Sequence, residues 1–175
     1  MENLTMCKYA INDRIMYLTT GLCHIDDIRD ECFGGAIPRK YYVMHAINDS
    51  KSVIYVPVDS EKLTAGMHPL LTPDEISGII SSVKDSDVVW IHNNKQRALS
   101  YTEKLGGGDR AEILMTIKAL YLHKKELESQ KKKFYASDER VLFAASRLIS
   151  EEFAFVLQMD QKDVMPYILE KLGIA

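Results

Sequence analysis

Cysteine and histidine could support nucleophilic or metal chemistry, and they occur in one region of this sequence at Cys23, His24 and His45. Adjacent residues on a β-strand point to opposite faces, so Cys23 and His24 are not expected to face one reacting atom. The pattern suggests no third residue that would orient a base. Structural zinc sites need four ligands in paired short spacings, which are missing here. We therefore expect no catalytic residue, no metal site and no cofactor.

A glycine run in "KLGGGDRAE", residues 104–112, leads into a predicted helix, and helix N-termini bind phosphate. A nucleotide-binding P-loop needs a preceding strand and a following Lys-Ser/Thr pair. Here a helix precedes the run and Asp-Arg follows it. The run therefore predicts a turn between two helices.

The stretch "DVVWIHNNKQR", residues 87–97, contains the chain's only tryptophan, Trp90, beside polar and basic residues. Trp90 is either a core residue or an exposed wedge. Two helices could share a positive face towards a phosphate backbone. One helix would contribute the lysine run "HKKELESQKKKF". The preceding helix and its turn would contribute Lys95, Arg97, Lys104 and Arg110.

Composition is that of an ordinary globular protein: 46% of the 175 residues are hydrophobic, 27% are charged, and the net charge is -3. Only the middle of the chain is net positive. Three cysteines without a CxxC pair indicate reduced thiols. Without an apolar run of about 20 residues or a secretory signal, we expect a soluble cytoplasmic protein with no membrane partner.

Four short β-rich pieces between residues 14 and 58 predict a small, strongly bent barrel of the SH3 or Tudor type. Proline cannot donate to a sheet ladder and is confined largely to edges and strand ends. Pro57 therefore predicts that the strand 52–57 lies at an open edge. Another protein's strand could add to that edge.

Beyond residue 66 the hydrophobic period changes from two to about 3.6, which predicts five helices. The fold class is thus α+β with two domains, a β domain over 1–66 and an all-α domain over 67–175. The predicted helices are a first from Thr72 to about Val83, a second containing Asn94 to Leu105, a third capped by Asp109, a fourth capped by Ser137 and a last capped by Asp160.

An ordered set of segments resembles the CarD/CdnL-type bacterial transcription regulators. "INDRIMYLTTGLCHIDDI" is similar to the family's opening strands, with Asn12 where the family has glycine. "YYVMHA" and "VIYVPVD" resemble the next strand and the edge strand. The helical segments that carry the resemblance are "KQR", "EKLGGGDRAE", "IKALYLHKKE", "SDERVLFAASRLISEEFAFVL" and "VMPYI".

The resemblance implies a Tudor-like domain that pairs strands with the RNA polymerase β subunit. It also implies a helical domain that contacts promoter DNA at the upstream edge of the transcription bubble. The protein would modulate open-complex stability without catalysing a reaction and without a small-molecule substrate. Its polymerase-binding residues would be Val53, Ile54, Tyr55, Val56 and Pro57. Its DNA-binding residues would be Trp90, Asn94, Lys95, Arg97, Lys104, Arg110 and Arg140.

Two departures from the family pattern stand out. Many members carry a tryptophan immediately before the match to "KQR", where this chain has Asn94. Trp90 precedes it by four residues, one turn along the same face if the segment is helical. The edge strand carries Tyr55 where the family can have a basic residue. An alternative function is a protein–protein adaptor that makes no DNA contact.

Overall fold

A computed structural model describes residues 7–34 and 37–174 of the chain. The chain divides into two compact units that meet between Leu70 and Leu71, four residues after the boundary expected from the sequence. The first unit contains the sheet and one short helix, and the second contains helices. Residues 1–6, 35–36 and 175 of the predicted domains lie outside the described residues.

The β unit is one antiparallel sheet of five strands in the order β4-β3-β2-β1-β5. Its elements are β1 (Arg14–Tyr17), β2 (Gly21–Glu31), β3 (Arg39–Ala46), β4 (Asp49–Pro57), the helix α1 (Glu61–Thr64) and β5 (Met67–Pro69). β5 pairs with β1. Residues 67–69, which follow the expected domain boundary, thus belong to the sheet.

The outermost strands are β4 and β5, and within the described residues no pairing joins them. The position of β4 confirms the expected edge strand, whereas a closed barrel is not confirmed. A β-bulge between Ile25 and Asp27 bends β2 against β3. The core lies on one face of the sheet and includes Ile15, Cys23, Ile25, Tyr42, Met44, Val56 and Met67.

The helical unit contains α2 (Pro73–Asp85), α3 (Asn94–Gly107), α4 (Arg110–Ser129), α5 (Ala136–Leu157) and α6 (Gln161–Leu172). The Thr72 hydroxyl accepts from the Glu75 N–H while the Glu75 carboxylate accepts from the Thr72 N–H, so a capping box starts α2. The Asp109 side chain accepts from two N–H groups at the start of α4. These two predicted helix starts are confirmed.

Two local expectations are wrong. Ser137 does not cap α5, because that helix begins at Ala136 and its N-cap residue is Tyr135. Trp90 does not lie on a helix with Asn94, because α3 begins only at Asn94 and Asn93 caps it through Lys95 and Gln96 N–H groups. The segment between Ser86 and Asn93 has no regular secondary structure.

Leu114, Ile117 and Leu120 of α4 are fully buried in the helical unit, together with Ala145 and Phe153 of α5. Buried residues at this spacing agree with the helical hydrophobic period of about 3.6 expected beyond residue 66. Among the described residues, no helix combines the length and the apolar character that crossing a membrane requires.

Candidate functional site

Arg97 hydrogen-bonds to the segment that carries Trp90 and to its neighbouring helices. Its guanidinium donates to both carboxylate oxygens of Asp138, at 3.0 Å from Nε and 2.6 Å from Nη2. Nη2 also donates to the Asn94 side chain, and Nη1 donates to the backbone carbonyls of Ile91 and His92. Arg97 and Asp138 are each only 1% exposed. Arg97 therefore joins the Trp90 segment, α3 and α5.

Trp90 is half-buried and packs against two cationic or ionisable side chains. Its ring stacks on His123 of α4 with centroids 3.8 Å apart, and the Arg97 Cζ lies 4.4 Å from its centroid. Val88, Ala119 and Leu122 line a surface cleft with it. The indole is thus neither a deep core residue nor a freely projecting one, and the packing holds it beside the start of α3.

Burial corrects the expectation of a positive face that includes Arg97 and Arg110. The Arg110 guanidinium, 8% exposed, donates to both oxygens of Glu152 and to the Gly108 carbonyl. Lys118 is 7% exposed, and its ammonium donates to the carbonyls of Val83, Lys84 and Ser86. These buried cations stabilise the helical unit and are not accessible to phosphates.

The other predicted DNA contacts remain at the surface. Asn94 and Lys95 are exposed in the first turn of α3, and Arg140 is exposed near the start of α5. The Arg97–Asp138 pair brings these two helix starts together. Lys104 is half-exposed, with its ammonium 4.0 Å from Glu112. Their contacts with DNA stay predictions.

The edge strand β4 presents alternate backbone groups outwards. The Val58 N–H donates to the Lys40 carbonyl, so that pair is a hydrogen-bonded one. Because pair type alternates along an antiparallel ladder, Val53, Tyr55 and Pro57 occupy non-hydrogen-bonded pairs. Their backbone groups point away from β3, but Pro57 has no N–H and its carbonyl accepts from the Ser60 N–H. Val53 and Tyr55 thus present their backbone N–H donors and C=O acceptors at the open edge of β4.

Side chains of β4 divide between the core and the outer face. Val56 is 1% exposed in the core, and Ile54 packs against the core, so these two do not present side chains at the outer face. Val53 is 53% exposed. Tyr55 belongs to an aromatic cluster with Phe33 and Tyr41, whose ring centroids lie 5.1 Å and 6.3 Å from its own.

Residues 9–71 match the sequence profile of the CarD-like/TRCF RID domain. Residues 9–71 form a CarD-like RNA polymerase-interacting domain. No curated protein matches the chain. The matched range ends one residue after the division between the two units, so it covers the sheet and α1 but not α2 to α6.

The CarD-like domain accommodates the asparagine that stands in the family's glycine position. Asn12 has a φ of 74°, in the left-handed region that glycine occupies without cost and that asparagine tolerates best among the other residues. Its N–H donates to the Ile25 carbonyl at 2.8 Å. The replacement therefore preserves the turn before β1.

A polar cluster lies on the outer face of the CarD-like domain. It contains His24 and His45, which sequence reasoning considered as metal ligands together with Cys23 and rejected, and Asp26, which it missed. The Asp26 carboxylate accepts from His45 Nδ1 at 2.7 Å and lies 3.0 Å from His24 Nδ1. Partial burial raises the pKa of Asp26, but hydrogen bonds from both imidazoles outweigh it and hold that pKa below its ordinary value. His24 and Asp26 at i and i+2 on one strand were the available signal. These three residues could hold a metal ion.

Proposed function

We propose that the chain is a bacterial transcription regulator that docks on RNA polymerase through β4 and contacts promoter DNA through its helical unit. The observation that carries the proposal is the CarD-like RNA polymerase-interacting domain with an edge strand whose backbone groups point outwards. A strand of the polymerase β subunit would add to β4 by backbone hydrogen bonds. The protein would act in the cytoplasm without catalysing a reaction.

At the promoter, Trp90 and Asn94 would meet the minor groove at the upstream edge of the bubble, with Lys95 and Arg140 on neighbouring phosphates. Inserting an aromatic wedge costs a few kcal/mol of base unstacking, which DNA already distorted by polymerase offsets. Docking by β4 would therefore precede and support the DNA contact. The expected result is a longer-lived or otherwise altered open complex.

Docking through β4 can be tested with Val53→Pro. The Val53 N–H points away from β3, so proline removes one outward donor and leaves the β3–β4 ladder intact. An unsatisfied acceptor on the partner costs about 1–3 kcal/mol, so we expect roughly tenfold weaker binding to RNA polymerase. Val53→Ala is the matched control, because it removes the side chain and keeps the N–H. Equal affinity of Val53→Pro and Val53→Ala would contradict strand addition.

The DNA contact can be tested by the lifetime of the open promoter complex. Trp90→Ala and Asn94→Ala are compared with the wild-type protein at saturating concentration, so that docking is not limiting. We expect Trp90→Ala to change the lifetime and Trp90→Phe to retain most of the effect. If neither Trp90→Ala nor Asn94→Ala altered the lifetime, the groove contact would be refuted.

A protein–protein adaptor without DNA contact is the second candidate, and exposed apolar side chains on the helical unit favour it. Leu99 of α3 is 63% exposed and Phe143 of α5 is 72% exposed. A contiguous exposed apolar patch is typical of a partner surface, so an adaptor would need these two side chains to act together. For an adaptor, Leu99→Ser and Phe143→Ser would abolish regulation, while Lys95→Ala and Arg140→Ala would leave it unchanged.

A further inference from the structure

His24, Asp26 and His45 meet on the outer face of the sheet because of register and a bulge. His24 of β2 lies directly opposite His45 of β3. The ladder then passes from Ile25 to Asp27, so Asp26 is the extra residue of the bulge. The two imidazole centroids are 5.5 Å apart. Three potential ligands from two adjacent strands thus converge on one point.

The distances among these side chains suit a single ion. One ligand atom from each residue lies within 4.8 Å of the others. Zinc binds imidazole nitrogen and carboxylate oxygen at about 2.0–2.2 Å, so two ligand atoms of a tetrahedral site are about 3.3–3.6 Å apart. Small rotations of the three side chains would therefore bring them into coordination distance without moving either strand.

We propose that His24, Asp26 and His45 bind one divalent transition metal ion of the zinc class. Imidazole and carboxylate together suit zinc, nickel and copper ions better than magnesium or calcium. Each imidazole would bind through Nδ1, the atom now directed at Asp26, and carry its proton on Nε2. Neutral histidines need only change tautomer, so binding releases no proton from them.

The site has three protein ligands and partial exposure, which leaves coordination positions open to water or to a group from another molecule. The exposed side-chain fractions are 21% for His24, 25% for His45 and 39% for Asp26. Arg14 lies opposite His24 on β1, and its positive charge would repel a metal ion bound nearby. The ionised Asp26 carboxylate offsets that repulsion at shorter range.

An ion here would tie β2 to β3 next to the edge strand, because His45 also lies opposite Val53 of β4. This inference does not depend on the proposed transcriptional role. The competing explanation is that Asp26 accepts two hydrogen bonds and holds no ion. The two explanations differ in their response to added zinc.

The test is isothermal titration calorimetry of the full chain with Zn²⁺ alone, in a Cys7→Ser/Cys32→Ser background. Both of these cysteines are exposed and free, so their removal excludes competing thiolates. We expect one saturable ion per chain and a raised midpoint of thermal unfolding. His24→Ala, His45→Ala and Asp26→Asn should each weaken binding by more than about tenfold.

His92→Ala is the matched control, because His92 is exposed in the helical unit and should leave zinc affinity unchanged. Asp26→Asn keeps the size of the side chain, and far-ultraviolet circular dichroism verifies the fold of each variant. Nδ1 resonances of His24 and His45 in nitrogen-15 spectra should shift on loading. Absence of saturable binding, or equal affinity in Asp26→Asn and the wild type, would overturn the proposal.

Discussion

Arg97 illustrates how one guanidinium can organise a site without touching its target. Five N–H donors in a rigid fork suit a carboxylate and several carbonyls at once. Arg97 uses them on Asp138, on Asn94 and on two carbonyls of the Trp90 segment. Its cation also lies near the Trp90 ring. Arg97 is therefore a positioning residue for the proposed DNA contacts.

Removing either Arg97 or Asp138 should destabilise the fold, because the remaining partner would stay charged and buried. We expect Arg97→Ala to lower the free energy of unfolding by about 3–5 kcal/mol. Urea denaturation followed by circular dichroism measures this loss. Arg97→Met/Asp138→Leu should cost less than Arg97→Ala, since no charge remains buried. A loss below that of the exposed control Lys95→Ala would contradict the structural role.

For single residues, the sequence identified the positions of the candidate sites better than it predicted their roles. Exposed and buried arginines look alike in a sequence, because burial of Arg97 depends on Asp138, which lies 41 positions away. The same is true of Arg110 and Glu152. Sequence reasoning considered His24 and His45 as metal ligands but missed Asp26, because the register and the bulge that bring the three together are tertiary properties. Local spacing carries none of this information.

Helix starts that rest on local capping were predictable at the scale of elements. Thr72 and Asp109 cap their helices through neighbours within three residues. The start of α5 differs by two residues from the expected one, since Asp138 in its first turn is fixed by Arg97 rather than by a local cap. The β4 edge was predictable from Pro57, whereas closure of the sheet depends on pairings that no local pattern specifies.

The capping box of α2 should contribute to stability in a pH-dependent way. We expect Thr72→Ala to destabilise the helical unit by about 1 kcal/mol at neutral pH in urea denaturation. The N–H and hydroxyl of Thr72 lower the pKa of Glu75. The contribution of Glu75 is thus fully present above its unfolded pKa of about 4.3 and is lost as pH falls through the lower folded value.

Glu75→Gln is the variant that isolates this charge, because it keeps an acceptor for the Thr72 N–H. Its unfolding free energy should fall below that of the wild type at neutral pH, and the difference should shrink towards pH 2. A difference that is the same at both pH values would show that the ionised carboxylate contributes nothing.

Lys118 of α4 closes the end of α2, where backbone carbonyls lack partners within the helix. Its ammonium uses three donors on three carbonyls, each at 2.8–2.9 Å. We expect Lys118→Met to lower the free energy of unfolding by about 1–3 kcal/mol, because the apolar chain is retained and the donors are lost. Lys125→Met, at an exposed position of the same helix, is the control. Similar losses in both variants would contradict the capping role.

Over the whole molecule, the two units differ in the functional features they carry. The β unit has a family identity, an edge strand and a cluster that suits a metal ion. The helical unit has local geometry alone, and three of its eleven Lys and Arg residues between 71 and 135 are buried. Its affinity for DNA should therefore be weak without polymerase. Regulation would require both units in one chain.

Salt dependence tests this division of labour on the full protein with polymerase and promoter DNA. Each phosphate neutralised contributes about 0.9 to the slope of log affinity against log salt. Lys95→Ala and Arg140→Ala should each reduce the slope by about that amount, while the exposed Lys162→Ala should not. Val53→Pro should weaken docking and leave the slope of the remaining complex unchanged. A slope unaffected by Lys95→Ala and Arg140→Ala would instead favour an adaptor that binds protein through exposed apolar side chains such as Leu99 and Phe143.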